Sequence, residues 1–206
     1  MTDRFVLVMA GGSGARLWPA STPERPKHLL GLAPDATSLL AATLDRARAW
    51  APDARVLVIT TAAQRAAVLT ARPDLAGRLL VEPAGRNTAA CVAHGLVALR
   101  ARLAGEGWST DRIDRAVVLA VPADHHVADR AAFDHAVLAA ADDAARAGVI
   151  VTLGITPTHP DTGYGYIERG DAPPADADAD AAIYPVRRFV EKPDAARARD
   201  FLATGR

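Results

Sequence analysis

Phe5-Val6-Leu7-Val8-Met9-Ala10-Gly11-Gly12-Ser13-Gly14-Ala15-Arg16-Leu17-Trp18-Pro19 joins a short apolar run to a glycine-rich turn. The run from Phe5 to Val8 reads as a buried strand bounded by glycines. Gly11, Gly12 and Gly14 then let the backbone turn sharply and approach a ligand with no Cβ in the way. Successive N–H groups in such a turn can point at one anion. Arg16 adds a cation within the stretch, and Lys27 adds another behind Pro26. Strand, glycine turn and two cations describe a phosphate-binding loop. It is not a Walker A loop, which needs Lys directly after its last Gly, where Ala15 stands here. Nor is it the dinucleotide fingerprint, because Leu17 takes the place of the third glycine.

Outward from this stretch, apolar runs alternate with longer segments rich in Ala, Leu and Arg. The pattern predicts strands over Phe5–Met9, Arg55–Thr60, Arg78–Val81, Ala116–Val121 and Val149–Gly154. Helices are expected over Ser38–Trp50, Ala62–Ala71, Thr88–Leu103 and Arg130–Arg146. Such alternation implies an α/β fold, Rossmann-like, with a mixed, mainly parallel sheet and helices on both faces. The strands are continuously apolar, as expected when both faces are covered. In the third helix, Val92, Leu96, Leu99 and Leu103 recur at near-helical spacing and are expected to face the core. Cys91 beside them reads as a packing residue, since no cationic neighbour in sequence would activate its thiol.

After residue 155 the rhythm changes. His159 to Ile167 reads as loop into strand, Ile183–Val190 as a further strand, and Pro193-Asp194 as the opening of a short helix ending near Gly205. Between them, Asp171 to Ala182 has no apolar residue larger than alanine and reads as a solvated, flexible loop. No internal repeat or linker divides the chain, so one domain over 1–206 is expected.

The bulk numbers fit that domain. At 206 residues, folding buries roughly 70% of the unfolded chain's surface, so neither disulfide nor metal is needed as a staple. Lys plus Arg equals Asp plus Glu at 24 each. This balance argues against broad nucleic-acid or membrane binding, though not against a local basic site. A single cysteine excludes an internal disulfide and fits a reducing, cytoplasmic compartment. The N-terminus lacks the features of a secretion signal.

The full string Gly12-x-Gly14-x-Arg16-x-x-Pro19-x-Ser21, followed by Pro26-Lys27, is far more specific than a glycine turn alone. It resembles the signature of the sugar-1-phosphate nucleotidyltransferases. Within that family, Leu17-Trp18-Pro19 is most similar to the mannose-1-phosphate guanylyltransferase (GDP-mannose pyrophosphorylase) branch. Four further blocks follow in the family's order. They are Glu82-Pro83-Ala84-Gly85-Arg86-Asn87-Thr88-Ala89, Val121-Pro122-Ala123-Asp124-His125, Thr162-Gly163-Tyr164-Gly165-Tyr166-Ile167 and Phe189-Val190-Glu191-Lys192-Pro193. Two departures are visible: Ala15 stands where the family usually has Thr, and the family's chain continues past residue 206. The resemblance therefore implies a nucleotidyltransferase domain cut short on its C-terminal side.

Each block has its own chemistry. Arg16 and Lys27 suit a triphosphate, Arg as a fork and Lys as a point charge; a surface salt bridge is the plainer alternative. Asp124 follows a strongly apolar strand, where a carboxylate beside a triphosphate suits Mg²⁺; the alternative is an Asp turn cap. His125 and His126 lack partners at zinc-ligand spacing. Glu82-Pro83 ends a strand and Asn87-Thr88 starts a helix. Plain N-capping explains the latter, and sheet ends beside helix starts are also where open α/β sheets bind ligands. Gly165, between two tyrosines, suits close approach of a sugar, or marks a bulge in an aromatic strand.

The resemblance implies roles for these residues. The segment Glu82, Pro83, Asn87 and Thr88 holds guanine and ribose, with Glu82 suited to the guanine N1–H and N2 donors. Ala10, Gly11, Gly12 and Gly14 form the nucleotide loop. Gly165 and Glu191 serve the sugar, and Lys192 its phosphate. Arg16, Lys27, Asp124 and Lys192 form the catalytic set, with Asp124 on Mg²⁺. The implied reaction converts GTP and mannose 1-phosphate to GDP-mannose and pyrophosphate, with a homodimer also consistent. Two other readings stay open at this point: a thymidylyl-, uridylyl- or adenylyltransferase acting on glucose 1-phosphate, and a nucleotide-binding module without turnover. The family's second metal-ligating aspartate has no counterpart here except Asp194 and Asp200, both in a helix pattern.

Overall fold

The computed structural model describes residues 2–12, 14–22, 24–32, 36–170 and 183–204, the side chain of Arg16 excepted. Its centre is a four-stranded sheet formed by β1 (Arg4–Ala10), β2 (Val56–Thr61), β3 (Leu79–Glu82) and β4 (Val117–Pro122), in the order β3-β2-β1-β4. All three pairings are parallel, with Val6 opposite Val56, Phe5 opposite Val118 and Val58 opposite Leu79. Parallel strands need crossovers, and helices supply them. These are α1 (Leu39–Ala47), α2 (Arg65–Ala71), α3 (Asn87–Gly105) and the short α4 (Thr110–Asp114); α5 (Arg130–Ala147) follows β4.

Side chains of a strand alternate between faces, and β1 divides the core accordingly. Val6, Val8 and Ala10 pack with Leu40 and Leu44 of α1, Val68 of α2 and Val137 of α5. Phe5 and Leu7 pack on the other face with Cys91, Leu99 and Leu103 of α3. Every one of these residues is buried, which is why β1 and β2 read as continuous apolar runs. Trp50 closes the first layer by donating its indole N–H to Asp134 of α5 at 2.8 Å.

The parallel sheet and its helical layers are as the periodicity predicts. Four details differ. The antiparallel part is not in the main sheet: β5 (Tyr166–Arg169) and β6 (Val186–Val190) form a separate ribbon, with α6 (Ala195–Thr204) after it. The strand expected over Val149–Gly154 is not formed; Ile150 is 95% exposed. β propensity does not make a strand without a pairing partner, and among the described residues β4 pairs only with β1. The buried side of α3 also differs from the expected stripe. It runs Cys91, Gly95, Leu99, Leu103, while Leu96 is exposed. The reason is Gly95, where a Cβ would lie 2.6 Å from Ile59 Cδ1 and 2.8 Å from Leu7 Cδ1. The absence of a side chain lets α3 settle against the sheet, and this rotates Leu96 outward. The strand expected over Ile183–Val190 begins at Val186, and the loop Asp171–Ala182 lies outside the described residues.

Candidate active site

The site residues of the main sheet lie where β1, β3 and β4 end. β1 runs into the glycine loop, which tightens into a 3-10 turn over Ala15–Leu17. Arg16 lies on that turn and Trp18, just after it, is exposed. Gly14 has φ of 63°, in the left-handed region, where a Cβ is strained. A Cβ there would also overlap Ser21 Oγ and sit 2.9 Å from Lys27 Cβ. Gly14 is thus required for both shape and space, and it brings the loop onto Lys27. At Gly11, a Cβ would lie 2.7 Å from Glu82 Oε1. The end of β3 therefore presents its carboxylate to the loop, and Glu82 is buried there. Gly12 is open, with nothing among the described residues within 4 Å of a Cβ.

Lys27 and Asp124 form an ion pair, Nζ to Oδ2 at 3.0 Å. Asp124 sits on the turn after β4, next to the end of β1, and its neighbours fix the turn. Ala123 N–H donates to Met9 O at 2.9 Å. From α1, Arg46 Nη2 donates to His125 O at 3.0 Å and to Thr43 Oγ1 at 2.8 Å. Thr43 Oγ1 makes a longer, 3.5 Å contact to Ala123 O. Asp124 is thus held between two backbone anchors on either side. His28, beside Lys27, is buried, and burial lowers its pKa to about 4 against the opposing pull of the Asp124 charge. It is neutral at pH 7, so the positive charge paired with Asp124 is that of Lys27 and not of His28.

The segment after β3 does not cap α3 as expected. Asn87 has φ of 63° and the cap position is Arg86, whose side chain makes no capping bond. Asn tolerates this left-handed conformation better than most residues. Asn87 and Thr88 are exposed at the start of α3, leaving its first turn accessible. Cys91, one turn on, is a packing residue: burial, then the charge of Glu82, pushes its thiol pKa up.

The remaining site residues belong to the ribbon. A Cβ on Gly165 would overlap the Phe189 ring and lie 3.1 Å from Glu191 Oε2. The close approach is thus to the protein's own β6, and the register irregularity falls at Glu168/Arg169 rather than at Gly165. Glu191 pairs with Lys192, Oε1 to Nζ at 2.7 Å. Lys192 has φ of 41°, a further left-handed residue at the site. Asp194 is a helix cap, accepting from Arg197 N–H at 2.8 Å. The polar contacts described here join residues within the main-sheet group or within the ribbon group, not across them. A cavity of about 230 Å³ between β5, β6 and α6 contains none of these residues. No group of three or more His, Cys, Asp or Glu side chains among the described residues is placed to hold a metal ion. Among the described residues, no helix is long and apolar enough to cross a membrane.

The sequence motifs miss Thr43, Arg46, Thr60 and Gln64, which hold the loop and the Asp124 turn from behind. Arg46 and Thr43 leave one trace, two polar residues on the buried face of α1; Thr60 and Gln64 leave none.

A glycine loop, a buried glutamate and a lysine–aspartate pair gathered at the carboxyl ends of a parallel sheet place the molecule in the open-sheet α/β class, whose ligands bind at such strand ends. More narrowly, the chain belongs to the nucleotidyl transferase family, whose model matches residues 5–206. It is 42% identical over 207 residues to the mannose-1-phosphate guanylyltransferase ManC of Salmonella typhimurium, covering 99% of this chain and 40% of that protein. It is 40% identical over 210 residues to the xanthan biosynthesis protein XanB of Xanthomonas campestris, covering 100% of this chain and 40% of the relative. Among solved structures, a mannose-1-phosphate geranyltransferase from Thermus thermophilus superposes with a TM-score of 0.81 at 38% identity, over 99% of this chain and 54% of that one. The chain spans about two fifths of the length of these curated relatives.

Proposed function

We propose that this chain is the catalytic domain of a mannose-1-phosphate guanylyltransferase. Mannose 1-phosphate attacks the α-phosphorus of GTP in line; its phosphate oxygen forms the new P–O bond as the bond to the pyrophosphate oxygen breaks. GDP-mannose and pyrophosphate leave. The observation that carries the reading is the pair formed by Asp124, just past the end of β4, and Lys27, which lies against the left-handed Gly14 of the loop after β1. The names of the relatives support the choice of GTP and mannose 1-phosphate.

The attacking phosphate has a second pKa of about 6 and is ionised at neutral pH, so no general base is required. The residues position substrates and offset charge. Lys27 trades its partner Asp124 for a phosphate oxygen, which its half-exposed position permits. Arg16 offsets charge on the departing pyrophosphate. Lys192 holds the attacking phosphate and Glu191 the sugar hydroxyls. Ala10, Gly11, Gly12 and Gly14 line the triphosphate; Glu82, Pro83, Asn87 and Thr88 take guanine and ribose. Asp124, an oxygen donor beside the phosphate loop, fits Mg²⁺, which supplies further neutralisation of phosphate charge when bound. Residues 1–206 act as one domain, the reaction is cytoplasmic, and a homodimer accords with the same reading.

The test is pyrophosphate release from GTP, mannose 1-phosphate and Mg²⁺ with this chain, against a panel of four nucleotides and both mannose and glucose 1-phosphates. Fastest release with GTP and mannose 1-phosphate is expected. Preference for another pair would sink the substrate assignment. Asp124→Asn is expected to abolish the Mg²⁺ dependence, and an unchanged metal response would remove Asp124 from the site.

A further inference from the structure

Two side chains from the β2–α2 segment grip the glycine loop from behind. Thr60 Oγ1 donates to the Ala10 carbonyl at 2.8 Å, fully buried. Gln64 Nε2 donates to the Gly12 carbonyl at 3.0 Å. Gly12 O can only accept, so the Gln64 atom facing it is the amide nitrogen. Gln64 is itself well anchored: its backbone N–H donates to Thr61 O at 3.1 Å and its carbonyl accepts from Val68 N–H at 3.0 Å.

Gln64 is 5% exposed, and its Oε1 is buried with no partner among the described residues. An apolar side chain would fill this space without leaving an acceptor unmet. What the amide adds is its bond to the loop. In a planar trans peptide, C=O and N–H point in opposite directions. Gln64 thus holds the Gly12 carbonyl toward α2. Thr60 holds the Ala10 carbonyl in the same way two residues earlier, so the Gly11 N–H of that peptide group points away from β2. A loop gripped in this way offers donors rather than acceptors to an anion.

We propose that Gln64 is a positioning residue of the nucleotide site, holding the Gly12 carbonyl inward so that loop N–H groups face the triphosphate. The inference rests on the reading above that this loop binds the phosphates of GTP.

The test compares binding of MgGTP with binding of guanosine, which has no phosphate, by calorimetry on the full chain. Gln64→Met keeps the length and removes the donor; Gln64→Glu keeps the shape and sets an acceptor against the Gly12 carbonyl. GTP affinity is expected to fall about tenfold in Gln64→Met, and further in Gln64→Glu, with guanosine affinity unchanged. Hydrogen exchange of the loop amides in the free protein is expected to quicken in both. Equal weakening of GTP and guanosine, or no weakening of either, overturns the inference. If either variant fails to fold by thermal unfolding, Gln64→Asn carries the same comparison. A wild-type chain that does not bind MgGTP overturns the proposed function instead; loop exchange then decides Gln64 alone, with unchanged rates in Gln64→Met overturning its holding role.

Discussion

The main sheet and the β5–β6 ribbon each carry a lysine–carboxylate pair, and the two are built differently. Lys27–Asp124 spans 3.0 Å with side chains 35% and 36% exposed. Lys192–Glu191 spans 2.7 Å with side chains 62% and 61% exposed. The shorter pair is the more weakly held, because solvent screens it and its long side chains keep their freedom. Distance alone does not measure how well a charge is placed. Lys27 is backed by Gly14, and Asp124 by Met9, Thr43 and Arg46 through its neighbours. Lys192 and Glu191 are adjacent residues at the end of one edge ribbon. The sheet pair is fixed by the fold around it, whereas the ribbon pair is largely open to solvent.

The largest contrast is expected in turnover. Lys27→Ala should slow pyrophosphate release by a few hundredfold, about 3 kcal/mol of transition-state stabilisation, with the circular-dichroism spectrum unchanged. Wild-type turnover would break the assignment of the sheet half as the preorganised one.

A pH effect of similar size belongs to the sheet half alone. His28 titrates at about 4 when folded, against 6.5 for an unburied histidine. The unfolded chain therefore binds the extra proton first as pH falls. The stabilisation is present above pH 6.5 and is lost between there and about pH 4, amounting to about 3 kcal/mol. Urea unfolding across this window should show a loss in wild type that His28→Gln lacks. Parallel pH profiles for the two proteins would exclude a buried neutral His28.

Packing comes next. Gly95→Val should cost about 2 kcal/mol of stability by forcing α3 off Ile59 and Leu7. Gly12→Val, at an open position, should leave the melting temperature nearly unaltered. Comparable losses at both positions would mean that α3 is not seated as described.

The smallest effect is expected on the ribbon. Lys192→Ala should raise KM for mannose 1-phosphate about tenfold and leave the melting temperature alone, since an exposed pair adds little to stability. A fall in melting temperature would show the ribbon pair to be as structural as the one on the sheet.

Much of this was legible in the sequence. Strands β1 to β4 lie within one residue of their expected boundaries at both ends. Continuous apolar runs between helical patterns have few other ways to bury both faces. Gly11, Glu82, Lys27 and Asp124 stand out in the sequence as candidates because each lies in a compact local motif. The failures share a cause: they depend on what another segment does. Val149–Gly154 has strand composition without a strand partner among the described residues. Leu96 fits a helical stripe that Gly95 shifts by one residue. Asn87 has the chemistry of a cap, yet the turn from β3 places it in the left-handed region.

The residue sequence by itself determined the α/β class and the glycine turn after the first strand, because apolar periodicity and glycine spacing act over a few residues. Tertiary structure decided which side of α3 is buried, which of the two lysine pairs is held, and which side chains hold the loop. Gln64 reaches Gly12 across 52 residues and Arg46 reaches His125 across 79. Hydrogen bonds over such separations leave no local pattern, since they exist only once the sheet has brought the strand ends together.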